Sequence, residues 1–440
     1  LAGHKTLLLE KNDYASGTSW CSSKLIHGGI RYLEQAKIGL MAESIAEKKR
    51  LLRLAPQLVT PLPFLFPVYQ GDRRWLATIW LGTWMYALLA KLHHTPSHQT
   101  PHDIATQWPM LSQQQLKGGM LYQDAQTLDT HLTLASVLAG QSDHTQAFNH
   151  MQVDHIGSAS SQHHTLTTCD QLTKRVQQFV GKKVVLATGP WMDLSDPKQK
   201  QIVYSKGSHW VLQGNPLQLT SAVTMFSPTD GRVMFVIPWC GHTLVGTTDT
   251  PSNEAPDFVR ITPQEHDYIH ETLTHYFPNV SAHDLKPMAS FAGLRTLVGQ
   301  KGQASLSSLS REHAVQQTKP GVWEIYGGKL TTFRNMAHDM LKQMGLATAS
   351  SSADTPWPKL LHADPETLTP EQVHHLIEHE QACTVSDVLL FRTLANLRMP
   401  DHGQRHWNMV GQCLSDAFGY TPAQLSKQIQ AYQTQSQQFE

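Results

Sequence analysis

The sequence predicts an α/β fold with a discontinuous parallel layer, a second, antiparallel sheet inserted into it, and a helical appendage at the carboxyl end. Short apolar runs that read as buried strands recur far apart, at KTLLLE (5–10) and KKVVLATGPW (182–191). VWEIYGGKLTTFRNMAHDML (322–341) passes from a strand through a Gly-Gly turn into a helix. Beyond about residue 350 a Ser/Ala/Pro-rich linker leads into a helical pattern over 370–435. At 440 residues the chain is also too long for one simple core, so two or three packed units are expected.

Taken in order, the first run ends in an acid, Glu10. Residues 37–55 follow a helical period, with Ile38, Met41, Ile45 and Leu52 on one face. PLPFLFPVY (61–69) holds too many prolines for a helix and reads as an extended edge or lining segment. WLATIWLGTWMYALLA (75–90) carries no charge and falls short of the ~20 apolar residues that span a bilayer. It reads as a largely buried helix, with a helix dipping into a membrane surface as the alternative. Residues 96–170, rich in Gln, His, Ser and Thr, read as loops between short elements. GRVMFVIPW and HTLVGTTD form an antiparallel pair across Cys240-Gly241.

Composition removes several function classes. Lys+Arg and Asp+Glu both number 35, and this balance argues against a nucleic-acid binder, which needs a basic face. Five scattered cysteines without C-x-x-C spacing suit a reducing compartment and no disulfide framework. The 26 histidines include adjacent pairs in polar stretches but no H-E-x-x-H, so no metal site is expected. The chain starts at Leu1, and no signal peptide precedes the first strand.

Four stretches carry chemistry. In SSKLIHGGIRYLE (22–34), Ser22, Ser23 and Lys24 offer hydroxyl and ammonium donors, and Gly28-Gly29 admit close backbone approach beside His27 and Arg31. In YGGKLTTFR (326–334), a glycine turn before a helix leaves free N–H groups and a positive dipole end, with Lys329 beside it. A plain helix start capped by Thr331 or Thr332 is the alternative there. FAGLRTL sets Arg295 after a glycine, to pair with a carboxylate or face an anion. KGSHWVL sets His209 at the head of an apolar run, as a core histidine or a base. Glu10, ending a strand, fits the acid that bonds an adenosine ribose about 20 residues after a G-x-G-x-x-G turn. Nine residues precede it, so that turn lies outside this sequence.

In order along the chain, LLLEKNDYASGTSWCSSKLIHGGIRYLE, PLPFLFPVY, LATGPW, KGSHWVL, VIPW, GTTD, AGLR and YGGKLTTFR resemble the FAD-dependent, quinone-linked glycerol-3-phosphate dehydrogenases. EHEQACTVSDVLLFRT (378–393) is similar to that family's C-terminal helical domain. The resemblance implies an amino-terminally truncated member with a Rossmann-like FAD domain of the glutathione reductase/amino-acid oxidase type. It divides the chain into an oxidoreductase unit, 1–345, and a helical domain, 346–440. FAD-binding segments are expected at about 1–60, 145–195 and 290–345, and substrate or cap segments at 61–144 and 196–289.

Site roles implied by the resemblance are cofactor binding by Glu10, Ser22, Ser23, Lys24, Leu25, His27, Gly189, Gly328, Leu330 and Thr331. Substrate binding falls to Arg31, Tyr32, Arg295 and Lys329, and catalysis to His209, Arg295 and Lys329. The implied reaction oxidises sn-glycerol 3-phosphate to dihydroxyacetone phosphate through FAD and passes electrons to a membrane quinone. It also implies peripheral attachment to the cytoplasmic face of the inner membrane, with a homodimer as a candidate assembly. An amino-acid-oxidase-like flavoenzyme and a non-catalytic remnant stay open as alternatives. The chain departs from the family pattern at Thr296, near His131 and at Phe391.

Overall fold

The computed structural model describes residues 3–29, 38–72, 74–91, 94–160, 163–194, 202–298, 312–346 and 357–437. From the amino end come β1 (Thr6–Leu9), β2 (Leu25–Ile26), α1 (Ile38–Leu54), β3 (Val59–Tyr69), α2 (Leu76–Leu89), β4 (Ser97–Gln99), α3 (Pro101–Gln107), β5 (Leu116–Thr127) and α4 (Asp129–Gly140). Next are β6 (Thr145–Phe148), β7 (Met151–Ser160), β8 (His163–Asp170), β9 (Val176–Gly181) and β10 (Val184–Leu186). Then follow β11 (Ile202–Leu212), β12 (Ala222–Phe226), β13 (Val233–Trp239), β14 (His242–Gly246), β15 (Thr250–Pro251), α5 (Pro263–Tyr276) and β16 (Pro287–Val298). β17 (His313–Lys319) and β18 (Val322–Gly327) lead into α6 (Phe333–Gln343). The carboxyl part is helical: α7 (Pro370–Glu380), a π-helical turn over Asp387–Arg392, α8 (Ala395–Arg398), α9 (Trp407–Phe418) and α10 (Pro422–Ser436).

Parallel pairing joins β1 to β6 and, in a separate sheet, β10 to β18; the widely spaced apolar runs supply β1, β10 and β18, whereas β6 lies in a stretch that the sequence reads as loops. β17 lies antiparallel on the other side of β18, and β7, β8 and β9 form their own antiparallel sheet. The large sheet has ten strands and runs β15-β11-β14-β13-β12-β3-β5-β2, with β16 on β11 and β4 on β5. β16 follows β11 from Ile202↔Val298 to Leu212↔Pro287. Residues 290–298 therefore lie in the large sheet, although the sequence boundaries group them with the FAD-binding segments. Alternation along β11 sends Trp210 and Leu212 into a core with α3 and α5, and Val211 into a core shared with the carboxyl-terminal helices.

Several expectations change. β3 is an interior strand between β5 and β12, not an edge. Its parallel pairing with β12 covers Phe64 and Leu65 alone, so most of that side needs no ladder bonds and tolerates Pro61, Pro63 and Pro67. Much of 96–170 forms strands rather than loops. Its polar residues mark the solvated faces of β7 to β9, which an antiparallel sheet allows. β1 is half-exposed rather than buried, with Leu8 at the surface. The predicted face of α1 holds for Met41 and Ile45, whereas Ile38 is exposed, and Glu47 and Lys48 are buried in its place. The hairpin of β13 and β14 forms as expected. Cys240 and Gly241 both take positive φ, 48° and 78°, as a two-residue turn of this hand requires.

α2 is not the largely buried helix expected. Ile79, Thr83, Tyr86 and Ala87 face inward, while Trp75, Trp80, Leu81, Met85 and Leu88 face outward, Trp75 being 76% exposed. Among the described residues, no helix is long and apolar enough to cross a membrane.

Candidate active site

The ladder of β11 and β16 brings the central site residues together. Its register sets Ser205 opposite Arg295, Gly207 opposite Gly293, and His209 opposite Phe291, so all six share one face. Glycines then let large side chains lie flat across neighbouring strands. A Cβ on Gly207 would stand 2.1 Å from Arg295 Nη2, and one on Gly246 of β14 would stand 2.2 Å from the His209 ring. A Cβ on Gly293 would press on Cys21 at 2.4 Å. Arg295 is fixed over Gly207. Its Nη2 donates to Thr247 Oγ1 (2.6 Å) and its Nη1 to the Thr248 carbonyl (3.0 Å), with Asp249 Oδ1 at 3.6 Å.

His209 is buried and stacks on Phe291 at 4.9 Å and 12°. Its Nε2 shares a 2.9 Å hydrogen bond with Ser23 Oγ, and its Nδ1 has no hydrogen-bond partner among the described residues. Burial holds the imidazole well below its usual range, and the charges of Arg295 and Lys24 push it further the same way. The ring is therefore neutral at neutral pH, and its protonated form is disfavoured where it stands.

The Ser22–Gly29 loop reaches this face because Thr18 Oγ1 donates to the Leu294 carbonyl (2.7 Å) and Trp20 stacks on Phe291 at 5.6 Å. Its polar residues do not act as the sequence suggests. The Lys24 side chain is fully buried and pairs with Asp129 at 2.8 and 2.9 Å, so its ammonium is not offered to a ligand. Ser22 Oγ also donates to Asp129 (2.6 Å), a residue that the sequence reading did not single out. Leu25 pairs through its backbone with Gln126 and packs into the core. A Cβ on Gly28 would meet Tyr86 Oη at 2.4 Å and Ile45 at 2.6 Å, so this glycine admits protein side chains rather than a ligand. His27 is half-buried, and Arg31 and Tyr32 lie outside the described residues.

The remaining predicted residues sit at strand ends. Glu10 follows β1, its carboxylate accepts from the Asn12 N–H (3.0 Å), and burial pushes its carboxyl up. Gly189 follows β10 with φ +53°, and nothing lies within 4 Å of where its Cβ would be. Gly327 and Gly328 take φ of +77° and +76° and are crowded by the Glu312 carbonyl and Met336, so the turn requires glycine at both. Neither Thr331 nor Thr332 caps the helix: no side-chain cap bond forms at the start of the short turn Leu330–Thr332 or of α6. Lys329 and Leu330 are half-buried there and Thr331 is buried. The turn lies beside Val298, at the end of the strand that carries Arg295.

A family model described as FAD dependent oxidoreductase matches residues 1–336. The aerobic glycerol-3-phosphate dehydrogenase of Bacillus subtilis (strain 168) is 33% identical over 359 residues, covering 78% of this chain and 64% of the relative. A probable mitochondrial glycerol-3-phosphate dehydrogenase of Caenorhabditis elegans is 30% identical over 465 residues, covering 98% of this chain and 62% of the relative. The chain thus spans 62 to 64% of the length of these relatives. Among solved structures, the glycerol-3-phosphate dehydrogenase of Bacillus halodurans complexed with FAD superposes with a TM-score of 0.77 at 22% identity, covering 100% of this chain and 90% of that one. The FAD-bound L-α-glycerophosphate oxidase of Mycoplasma pneumoniae gives a TM-score of 0.62 at 19% identity, covering 81% of this chain and 92% of that one. These two likenesses concern the fold.

Proposed function

The chain belongs to the FAD-dependent oxidoreductase family, and from that premise we propose that it oxidises sn-glycerol 3-phosphate to dihydroxyacetone phosphate and passes the electrons to a quinone. The observation that carries the reading is the ladder face on which Arg295, seated over Gly207, lies one residue pair from a neutral, buried His209. A phosphate monoester is nearly a dianion at neutral pH, and a guanidinium fork suits it. The names of the curated relatives support this substrate.

Local features fit the cofactor. Glu10 ends a strand of a parallel pair, Gly189 leaves open space at the end of another, and the turn before α6 has no side-chain cap. Glu10, Gly189 and the backbone of Gly328–Thr331 would hold FAD, with Ser23 and His27 on the loop facing it. When bound, the flavin supplies a two-electron acceptor for the hydride from the substrate carbinol carbon. Arg295, with Arg31, Tyr32 and Lys329, orients the phosphate, and His209 takes the hydroxyl proton. Ser23 fixes the imidazole through Nε2. Lys24 and Asp129 act as a neutral buried pair behind the loop rather than as ligands. The outward apolar face of α2 would rest on the membrane that contains the quinone.

Anaerobic addition of glycerol 3-phosphate to the FAD-loaded protein should bleach the flavin absorbance, and quinone addition should restore it. Bleaching by amino acids, with no response to glycerol 3-phosphate, would overturn the assignment.

A further inference from the structure

The hydrogen bonds of Arg295 go to a stretch that lies outside the strand ladders. β11 pairs with β14 as far as Gly246 and with β15 from Thr250 on, so Thr247, Thr248 and Asp249 lie between the two. There the Thr248 N–H meets the Ser208 carbonyl at a long 3.4 Å. Side chains of the stretch alternate. Thr247 and Asp249 turn to the guanidinium of Arg295, whereas Thr248 and Thr250 turn the other way. On that far side stands Glu265, buried in the first turn of α5. Its Oε1 accepts from Thr250 Oγ1 (2.7 Å) and Thr248 Oγ1 (3.3 Å), and the latter hydroxyl accepts in turn from the Ser208 N–H (3.0 Å).

A helix start alone does not call for this carboxylate. Thr262 and Glu265 form a capping box, in which Glu265 Oε2 accepts from the Thr262 N–H (3.0 Å) and Oγ1 (3.1 Å). The same box opens α7 and α10 with Gln372 and Gln424 in that place, so an amide suffices for the cap. Glu265 differs in being buried and in turning its other oxygen to Thr250 and Thr248. Lys206 Nζ, 3.1 Å from Oε2, adds a cation that also pairs with Glu254 at 2.6 Å. Burial raises the Glu265 carboxyl, but the hydrogen bonds from Thr250, Thr262 and Lys206 outweigh it and hold the group below its usual range. The carboxylate is thus a charged anchor with both oxygens engaged.

We infer that Glu265 is a positioning residue of the substrate site: through Thr248 and Thr250 it holds residues 247–249, and these hold Arg295 where the guanidinium meets the phosphate. The inference rests on the role of Arg295 proposed above. Thr248 supplies the carbonyl that Arg295 Nη1 reaches at 3.0 Å, and Thr247, one residue before it, supplies the hydroxyl that Nη2 reaches at 2.6 Å. Acceptors that shift carry the guanidinium with them, and a fork grips a phosphate only while its N–H bonds keep their direction.

The test uses the full FAD-loaded chain. Glu265→Gln keeps an acceptor for the cap and leaves Lys206 with Glu254, but it puts an amide where two threonine hydroxyls need an oxygen. KM for glycerol 3-phosphate should rise about tenfold with kcat within about twofold, as loss of substrate binding requires. Thr250→Val, which removes the shorter of the two bonds, should raise KM about threefold, and Thr250→Ser should restore it. Because Gly207→Ala already unseats Arg295, Glu265→Gln added to it should change KM by less than about twofold, whereas a purely structural role would add its full effect. A second readout needs no substrate. Phenylglyoxal should modify Arg295, followed by peptide mass, about threefold faster in Glu265→Gln and Thr250→Val than in the parent. The inference is overturned by unchanged modification of Arg295 in both variants, by full addition of the KM effects, or by a Thr250→Ser variant that does not recover. If Glu265→Gln does not fold, the Thr250 pair decides. Faster modification without bleaching by glycerol 3-phosphate would sink the substrate assignment and leave the positioning role, and bleaching with unchanged modification would sink the positioning role alone.

Discussion

Gly207→Ala tests the seat of Arg295. The added methyl would stand 2.1 Å from Nη2 and 2.5 Å from Cζ. Ordinary contact between such atoms is about 3.5 Å, so the guanidinium must move by roughly 1.4 Å. Its hydrogen bonds to Thr247 and the Thr248 carbonyl, 2.6 and 3.0 Å long, cannot both survive that shift. A misplacement of about 1 Å costs on the order of 10²-fold in rate, or about 2.7 kcal/mol of transition-state stabilisation. We therefore expect kcat/KM for glycerol 3-phosphate to fall about 10²-fold. Flavin content, read from the visible spectrum, should remain near that of the parent. Gly293→Ala is the control, because it sits on the same rung but presses on Cys21. Equal losses in the two variants, or no loss in Gly207→Ala, would refute the seating argument.

His209→Asn should slow anaerobic flavin bleaching by about 10²- to 10⁴-fold. Because His209 is held neutral, the parent rate should show no imidazole titration between about pH 6 and 8; stopped-flow absorbance reads both. Asp129→Ala leaves the Lys24 ammonium buried without its carboxylate and should cost about 3–5 kcal/mol in urea unfolding, much of which Lys24→Met should restore. Acid should destabilise the fold as pH drops below about 6.5, because unfolded histidines then take protons that the native state refuses. His131, pushed down to about 3 by burial, and His209 both act in this direction. Thermal melts of His131→Gln should show a shallower loss between pH 7 and 5.

The sequence made the parallel pieces legible because β1 and β10 are apolar runs flanked by turn signals, and the β13–β14 hairpin because Cys240-Gly241 separates two alternating strands. It also marked the site: KGSH, VGTT and AGLR each hold a glycine within two residues of a functional side chain. What those glycines do was hidden, since the seat of Arg295 belongs to another strand and appears only once β11 and β16 are in register. Lys24 likewise depends on a distant part of the chain. A lysine in a glycine-rich loop suggests an anion, but its partner, Asp129, arrives 105 residues later. The prolines of β3 suggested an edge, and no local pattern foretells that β12 would cover so little of that side.

Asp13 and Arg392, both buried, are bonded across 379 residues, with Arg392 Nη2 to Asp13 Oδ1 at 3.1 Å. Synthesis at about 5–20 residues per second delivers the arginine roughly 20–80 s after the aspartate. Until then the carboxylate can have Asn149 but not its guanidinium. Release of the segment around Asp13 from water is thus complete only once the region around Arg392 has been made.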